Sequence, residues 1–262
     1  MSRRQIWLIG GTQESAELAI AIAQAQLSCT VSITTETAKA LYAQVPELQV
    51  VVGRFSWDQL LNFLQTERIV AILDASHPYA VEISQRAIAA AAQLQIPYLR
   101  FERPSLATAT LSADNPVIEL DSFTALLSGT YLQGQRVLLT IGSKPLPLFA
   151  SWQAQSILFA RILPSPVALE TALAAGFTSD RLLAIRPPIS PEIERALWQH
   201  WQISLVVTKA SGKPGGENIK RAVAAELGST LVMITRPDLA YPQQTNSLTA
   251  ALAFCRKLLD QN

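Results

Sequence analysis

The chain has 262 residues, 49% hydrophobic and 16% charged, with a formal net charge of +1. That size and apolar content suit one large domain or two ordinary ones around a sizeable core, and the near-neutral balance excludes a general nucleic-acid or membrane-surface binder. Two cysteines, Cys29 and Cys255, are too few for a disulfide framework and lack metal-ligand spacing, so they read as buried thiols of a reducing compartment. The opening MSRRQIWLIGG is basic, but its apolar run of about six residues falls short of the roughly seven to fifteen of a secretory core. No apolar stretch reaches the roughly 18 residues of a membrane span. A soluble cytoplasmic protein is expected.

The segment QIWLIG (5–10) predicts the first strand, and the helical pattern that follows covers 13–27. Between them stands GGTQES. Gly10 and Gly11 can take backbone angles closed to other residues, and the free N–H groups of the next helix favour an anion. Thr12 and Ser15 add hydroxyls. The full G-x-G-x-x-G fingerprint is absent, so the turn reads either as a phosphate cradle or as a tight structural turn. CTVSIT (29–34) predicts the second strand. The stretch after it, where a Rossmann-type fold selects its dinucleotide, holds Thr35, Glu36, Thr37 and Lys39, an ambiguous mixture. A strand at 48–52 and a helix at 56–66 lead to the strand IVAILD (69–74) and the loop LDASHPYAVEI. Pro78 fits the first turn of a helix over 79–95, which puts Ser76 or His77 near its cap. Asp74, Ser76 and His77 are too close in sequence to aim at one atom as a triad. His77 therefore reads as a ligand contact or proton relay, or simply as a cap. PYLRF (97–101) is the fifth strand, and the polar stretch 102–116, with two prolines, reads as a linker.

Strands are predicted next at 116–120, 136–142, 156–163, 181–185, 203–209 and 230–235, with helices at 165–175, 190–201, 216–227 and 247–260. Strand–helix alternation with apolar strands implies parallel sheets covered on both faces. The expected architecture is α/β with two doubly wound domains, 1–112 and 113–262, the last helix being free to pack back on the first. Ligands in such folds bind beyond the carboxyl ends of the strands, and the cleft between two domains is the default site. LLTIGSKPL offers Gly142, Ser143 and Lys144 at one strand end. VVTKASGKPGGENIKRA offers Lys209, Ser211, Gly212, Lys213, Gly215 and Gly216 at another, without the Ser or Thr of a Walker A loop. Arg100, Arg103, Lys144, Arg161, Arg186, Lys209, Lys213 and Arg236 all fall in or just beyond strand ends, which points to a polyanionic ligand or cofactor. No Tyr is followed four places later by Lys, no G-x-S-x-G elbow is present, and two histidines with scattered cysteines argue against a zinc site.

These motifs, taken in order, resemble the precorrin-6A reductase family of cobalamin biosynthesis. The matching pieces are GGTQES, DASHPYAVEISQRA, PYLRFERP, LLTIGSKPL, ARILPSP and VVTKASGKPGGENIKRAVAAELGSTLVMITRP. The resemblance implies two Rossmann-like domains with a cleft between them. It also implies reduction of precorrin-6A or its cobalt form to the dihydro product by hydride from NADPH, or from NADH in its place. Gly10, Gly11 and Thr12 then match the cofactor-phosphate turn, with Thr35, Asp74, Ser76, His77 and Pro78 completing the cofactor side. Tyr79, Lys144, Arg186, Lys209, Ser211, Gly212, Lys213 and Gly216 are the substrate side, and His77 is the candidate catalytic residue. The substrate would be an anionic tetrapyrrole, held at its carboxylates by the cations and at its ring face by Tyr79, Leu146 and Leu148. No metal, nucleic acid or membrane partner is implied, and a monomer or weak homo-oligomer is expected. AIRPPIS and TTETAKA depart from the family pattern, which bears on Arg186, Ser190 and the choice of dinucleotide. The residues alone leave open another atypical NAD(P)-dependent dehydrogenase or a non-catalytic nucleotide sensor; an extracytoplasmic solute-binding protein shares the two-domain plan but would normally need an export signal, which is missing.

Overall fold

The computed structural model describes residues 4–103 and 117–260. The chain divides into two compact units, Met1–Pro104 with Asp238–Asn262, and Ser105–Pro237. The boundary expected at 112–113, and most of the linker expected at 102–116, lie outside the described residues.

The first unit contains β1 (Gln5–Ile9), α1 (Gln13–Gln24), β2 (Cys29–Ile33), β3 (Gln49–Val52), α2 (Trp57–Thr66), β4 (Ile69–Asp74), α3 (Val81–Leu94) and β5 (Tyr98–Phe101). The chain later returns to it as β12 (Gln244–Thr245) and α8 (Leu248–Leu259). Its strands are parallel in the order β3-β2-β1-β4-β5-β12. Successive side chains of a strand point to opposite faces, and β1 shows the consequence. Ile6 and Leu8 join Leu18, Ile22, Val31, Ala251 and Cys255 on the face carrying α1 and α8. Trp7 and Ile9 join Leu60, Phe63, Ala87 and Ala90 on the face carrying α2 and α3. A sheet buried on both faces needs apolar residues at every position of its central strand, hence the unbroken run QIWLI.

The second unit contains β6 (Val117–Leu120), α4 (Phe123–Ser128), β7 (Arg136–Leu139), β8 (Ile157–Ile162), α5 (Pro166–Ala174), β9 (Leu182–Ala184), α6 (Pro191–His200), β10 (Leu205–Lys209), α7 (Glu217–Leu227) and β11 (Thr230–Ile234). Its strands are also parallel, in the order β9-β8-β7-β10-β11-β6. Under α6 and α7 the core gathers Leu138, Phe159, Trp198, Trp201, Val206, Val223 and Met233. Most helices start on a serine or threonine whose oxygen accepts an otherwise orphaned N–H. Thr12 and Ser56 form reciprocal capping boxes, and Ser122, Ser165, Ser190 and Ser247 cap α4, α5, α6 and α8.

Each sheet places five strands in the doubly wound order 3-2-1-4-5, and each takes its sixth strand from outside that run. In the first unit the sixth is β12, from the far end of the chain, and in the second it is β6, which precedes the other five. The order reverses between β1 and β4 in one sheet and between β7 and β10 in the other. Those are the switch points, where the connections leave in opposite directions and open a crevice beyond the strand ends.

Candidate functional site

At the first switch point, GGTQES closes onto the sheet through a few tight bonds. The Gly10 N–H donates to Ser32 O at 2.9 Å, and the Ala75 N–H donates to Ile9 O at 3.0 Å, so the turn sits between β2 and β4. A Cβ on Gly10 would stand 2.2 Å from Tyr42 Oη and 2.9 Å from Val31 Cγ1; only glycine fits there. Gly11 has φ +97°, and nothing lies within 4 Å of where its Cβ would be. The conformation demands glycine, and the open side leaves room for a phosphate to approach the main chain. Thr12 is committed internally: its hydroxyl accepts from Ser15 N at 3.1 Å and donates to Ala75 O at 2.8 Å. Tyr42 Oη, which sequence reasoning missed, accepts from Gly11 N at 2.8 Å and pairs with Ser15 Oγ at 2.7 Å. Burial raises the Tyr42 pKa, so the phenol stays protonated and donates to one neighbour while accepting from another. Thr35 is exposed and pairs with Thr37, and Lys39 pairs with Glu36 at 2.8 Å. The mixed charges after β2 thus largely compensate each other.

The DASHPYA loop rests on a buried polar cluster. Asp74 is fully buried. Its Oδ1 accepts from Ser76 N and from Arg100 Nη1, each at 2.9 Å, and its Oδ2 accepts from Ser84 Oγ and Tyr98 Oη, each at 2.6 Å. Arg100 also donates to Ser76 Oγ at 3.1 Å and to Glu102 Oε2 at 3.0 Å, and its guanidinium stands 5.2 Å from the ring centroid of Tyr241. Asp74 and Ser76 are therefore pillars of the loop, turned inward. His77 is exposed at its crest. Its Nδ1 accepts from Tyr79 N at 3.3 Å, and its ring centroid lies 5.7 Å from that of Tyr79. The helix expected from 79 starts at Val81, so Pro78 precedes it in a turn closed by the Ala80 N–H donating to His77 O at 2.7 Å. Ala80 is the N-cap and offers no side-chain bond; neither Ser76 nor His77 caps α3.

The second switch point brings Lys144 and Lys209 together. Burial, then the nearby Lys144 ammonium, lowers the Lys209 pKa, and Lys209 Nζ stands 5.9 Å from the ring centroid of Phe123. Beside them the loop after β10 is folded tightly. Ser211 is buried, and Gly212 and Gly216 take φ +72° and +69°. Lys213 is exposed. Arg186 is exposed beyond β9, two strand positions away from β7 at the edge of the sheet. Leu146, expected at a ligand face, is fully buried in the core, whereas Leu148 is exposed. Glu217 and Lys220, which the sequence reading did not single out, are both buried and bond the loop main chain: Gly212 N donates to Glu217 Oε2 at 2.9 Å, and Lys220 Nζ donates to Gly215 O at 2.6 Å.

The cations at strand ends thus fall into two groups. Arg100 pairs with Asp74, Arg103 with Glu14, and Arg161 with Glu194, while Arg236 donates to Ala210 O. These four bond carboxylates or a carbonyl of the protein itself, so the strand-end cations read from sequence as pointing to a polyanionic ligand, cofactor or both divide in two. Lys144, Lys213 and Arg186 are exposed and Lys209 half-buried. A groove of about 370 Å³ runs along β3 and α2 past Gly53, Arg54, Phe55 and Asn62, and it shares no residue with these loops. Among the described residues no three His, Cys, Asp or Glu side chains gather as a metal site, and no helix is long and apolar enough to cross a membrane.

The model of the family "Precorrin-6x reductase CbiJ/CobK" matches residues 5–256. The chain belongs to the precorrin-6x reductase family. It is an oxidoreductase family by name, and the match spans both sheets. A cobalt-precorrin-6A reductase of Synechocystis sp. is 45% identical over 254 residues, covering 97% of each chain. One from Priestia megaterium is 34% identical over 239 residues, covering 90% of this chain and 92% of that one. A solved structure of a CobK precorrin-6A reductase superposes with a TM-score of 0.77 at 24% identity, over 98% of this chain and 97% of the other; it supports the two-sheet Rossmann-like fold.

Proposed function

We propose that this precorrin-6x reductase family member reduces precorrin-6A, or its cobalt form, to the dihydro product in cobalamin biosynthesis, with NADPH or NADH as the reductant. One observation carries the reading: GGTQES and DASHPYA meet at the switch point of one sheet, and GSKPL and TKASGKPGG at that of the other. Motifs far apart in sequence thus stand where doubly wound folds bind ligands.

The first unit fits a dinucleotide. The glycine turn is open at Gly11 and closed at Gly10, and the N-terminus of α1 adds the positive end of its dipole. Gly10 and Gly11, whose own N–H groups are committed to Ser32 O and Tyr42 Oη, would let the pyrophosphate approach the open side of the turn, within reach of the first N–H groups of α1. Thr12 would act by fixing the turn, because its hydroxyl is already committed. Asp74, Ser76 and Pro78 would support the loop that flanks the cofactor, and Thr35 would border its ribose. When bound, the nicotinamide supplies a hydride; the chain's own residues supply placement and charge. In the second unit Lys144, Lys209 and Lys213 would take substrate carboxylates, with Arg186 reaching a peripheral one. Ser211, Gly212 and Gly216 would present the loop main chain and Leu148 apolar surface, and Tyr79, of the first unit, is also assigned to the substrate. Lys209 is suited to this because a half-buried ammonium beside a second one gains from an approaching carboxylate. Fixing both reactants can lower a barrier by about 7–11 kcal/mol in favourable cases. His77, exposed on its loop, is assigned substrate contact or proton relay.

The deciding experiment mixes the protein with precorrin-6A and with cobalt-precorrin-6A and follows loss of NADPH or NADH absorbance in parallel reactions. Oxidation in one pairing supports the reading and names substrate and dinucleotide. Oxidation in none would sink it.

A further inference from the structure

The loop Ser211–Gly216 lies between the C-terminal end of β10 and α7, and its shape is set from below. A Cβ on Gly215 would stand 1.8 Å from Ser211 Oγ, so the loop folds back on itself with no room between its limbs. Two buried charged side chains of α7 hold the main chain there. Glu217 takes the Gly212 N–H at 2.9 Å, and Lys220 gives a hydrogen bond to Gly215 O at 2.6 Å. Lys220 Nζ also lies 3.5 Å from the point where a Cβ on Gly216 would be. An ammonium therefore forms the floor of the loop.

Burying an ammonium is costly, and an apolar side chain of similar size would serve the core as well or better. Lys220 is 2% exposed. Glu217 of its own helix and Glu194 of α6 face it with negative charge, while Arg161 of β8 opposes it. Its pKa is lowered to about 8, by burial first and then by Arg161, against the pull of Glu194 and Glu217. Such an arrangement is of little use to the core and of direct use to the loop.

We propose that Lys220 is the positioning residue of the Ser211–Gly216 loop: its ammonium fixes the Gly215 carbonyl and thereby the main chain that meets the substrate's carboxylates. The second half of this statement rests on the assignment of the loop to substrate binding made above. The first half does not.

The test uses the full-length protein and the Lys220→Met variant. Hydrogen exchange at the Gly215 and Gly216 amides, which donate to Gly212 O and Lys213 O, reports the loop directly. KM is measured for precorrin-6A and for the dinucleotide. Exchange faster by about tenfold, the scale of one charge-assisted hydrogen bond, with KM raised for precorrin-6A and unmoved for the dinucleotide, supports the proposal. Unchanged exchange overturns it. Faster exchange with KM for precorrin-6A unmoved supports the positioning role and removes the loop from the substrate site. The wild-type protein gives a second readout that needs no variant. Protection of the same amides, normalised to the intrinsic rate, shifts as Lys220 titrates across about pH 8; protection that stays flat overturns the proposal.

Discussion

Asp74 illustrates how one buried side chain sets the shape of a loop at a switch point. Its four bonds place Ser76, Ser84, Tyr98 and Arg100 around a single carboxylate. Asp74→Asn leaves the Arg100 guanidinium buried beside a neutral amide, and removing one partner of a buried ion pair costs about 3–5 kcal/mol. Urea unfolding should show a loss on that scale, and dinucleotide affinity should fall with it. The exposed Glu36–Lys39 pair is the counter-example, since a surface pair contributes about 0–1 kcal/mol. Gly10→Ala should cost about 1–3 kcal/mol through overpacking against Tyr42 and Val31, and Tyr42→Phe in the same background should recover part of it by removing the clashing Oη. His77→Ala should leave stability nearly unchanged, because its side chain is exposed, while lowering turnover. An unaltered rate with unaltered affinity for both ligands would return His77 to a local loop role. Little of this was legible beforehand. Asp74, Arg100, His77 and the glycines stand out in the sequence, but Tyr42 does not, and neither it nor Arg100 shows its partner, because those partners lie 31 and 26 residues away.

Among the elements, α7 shows a signal that could have been found. Glu217, Lys220, Val223 and Ala224 are its buried residues, spaced as one face of a 3.6-residue helix. Two charged residues on the face that also carries Val223 and Ala224 announce a buried polar function. No comparable signal exists for β12, whose two residues are too few to show any period. What attaches it is main-chain bonding: Arg100 N donates to Gln243 O and Glu102 N to Thr245 O, each at 2.9 Å. α8 follows and buries Ala251 and Cys255 against the first sheet. Truncation before Asp238 should therefore leave the second unit folded and expose the α8 face of the first. The measurable signs are binding of an apolar dye and loss of one cooperative unfolding step. A truncated chain that kept both steps would contradict this account of the returning segment.

At the scale of the whole molecule, the two units should respond oppositely to alkali. Cys29, Cys255, Tyr42, Tyr98 and Tyr241 belong to the first unit, and burial raises the pKa of each, that of Cys255 to about 12. On unfolding they would ionise near their ordinary values of 9.0 and 10.0, so the unfolded state sheds protons that the folded state keeps. Stability of the first unit is then intact below pH 9 and lost progressively above it. Lys209 and Lys220 belong to the second unit, and burial lowers both from 10.5, Lys220 to about 8. Here the unfolded state keeps protons that the folded state has shed, so their contribution grows from about pH 8 towards 10.5. Calorimetry between pH 7 and pH 10.5 should show the transition of the first unit moving down while that of the second holds. Saturating dinucleotide should oppose the decline, by about 2.7 kcal/mol at a hundred times Kd.

The sequence by itself determined eleven of the strands, the parallel α/β class and the four strand-end loops that the structure places at the switch points. These follow from short-range patterns: apolar runs, serine and threonine caps, and glycines at turns. Only the tertiary structure decided which unit owns the C-terminal helix, where each sheet finds its sixth strand, and which strand-end cations face inward to carboxylates of their own. Those outcomes depend on pairings between residues distant along the chain, and a linear pattern carries no record of which distant partner will quench a charge or complete a sheet edge.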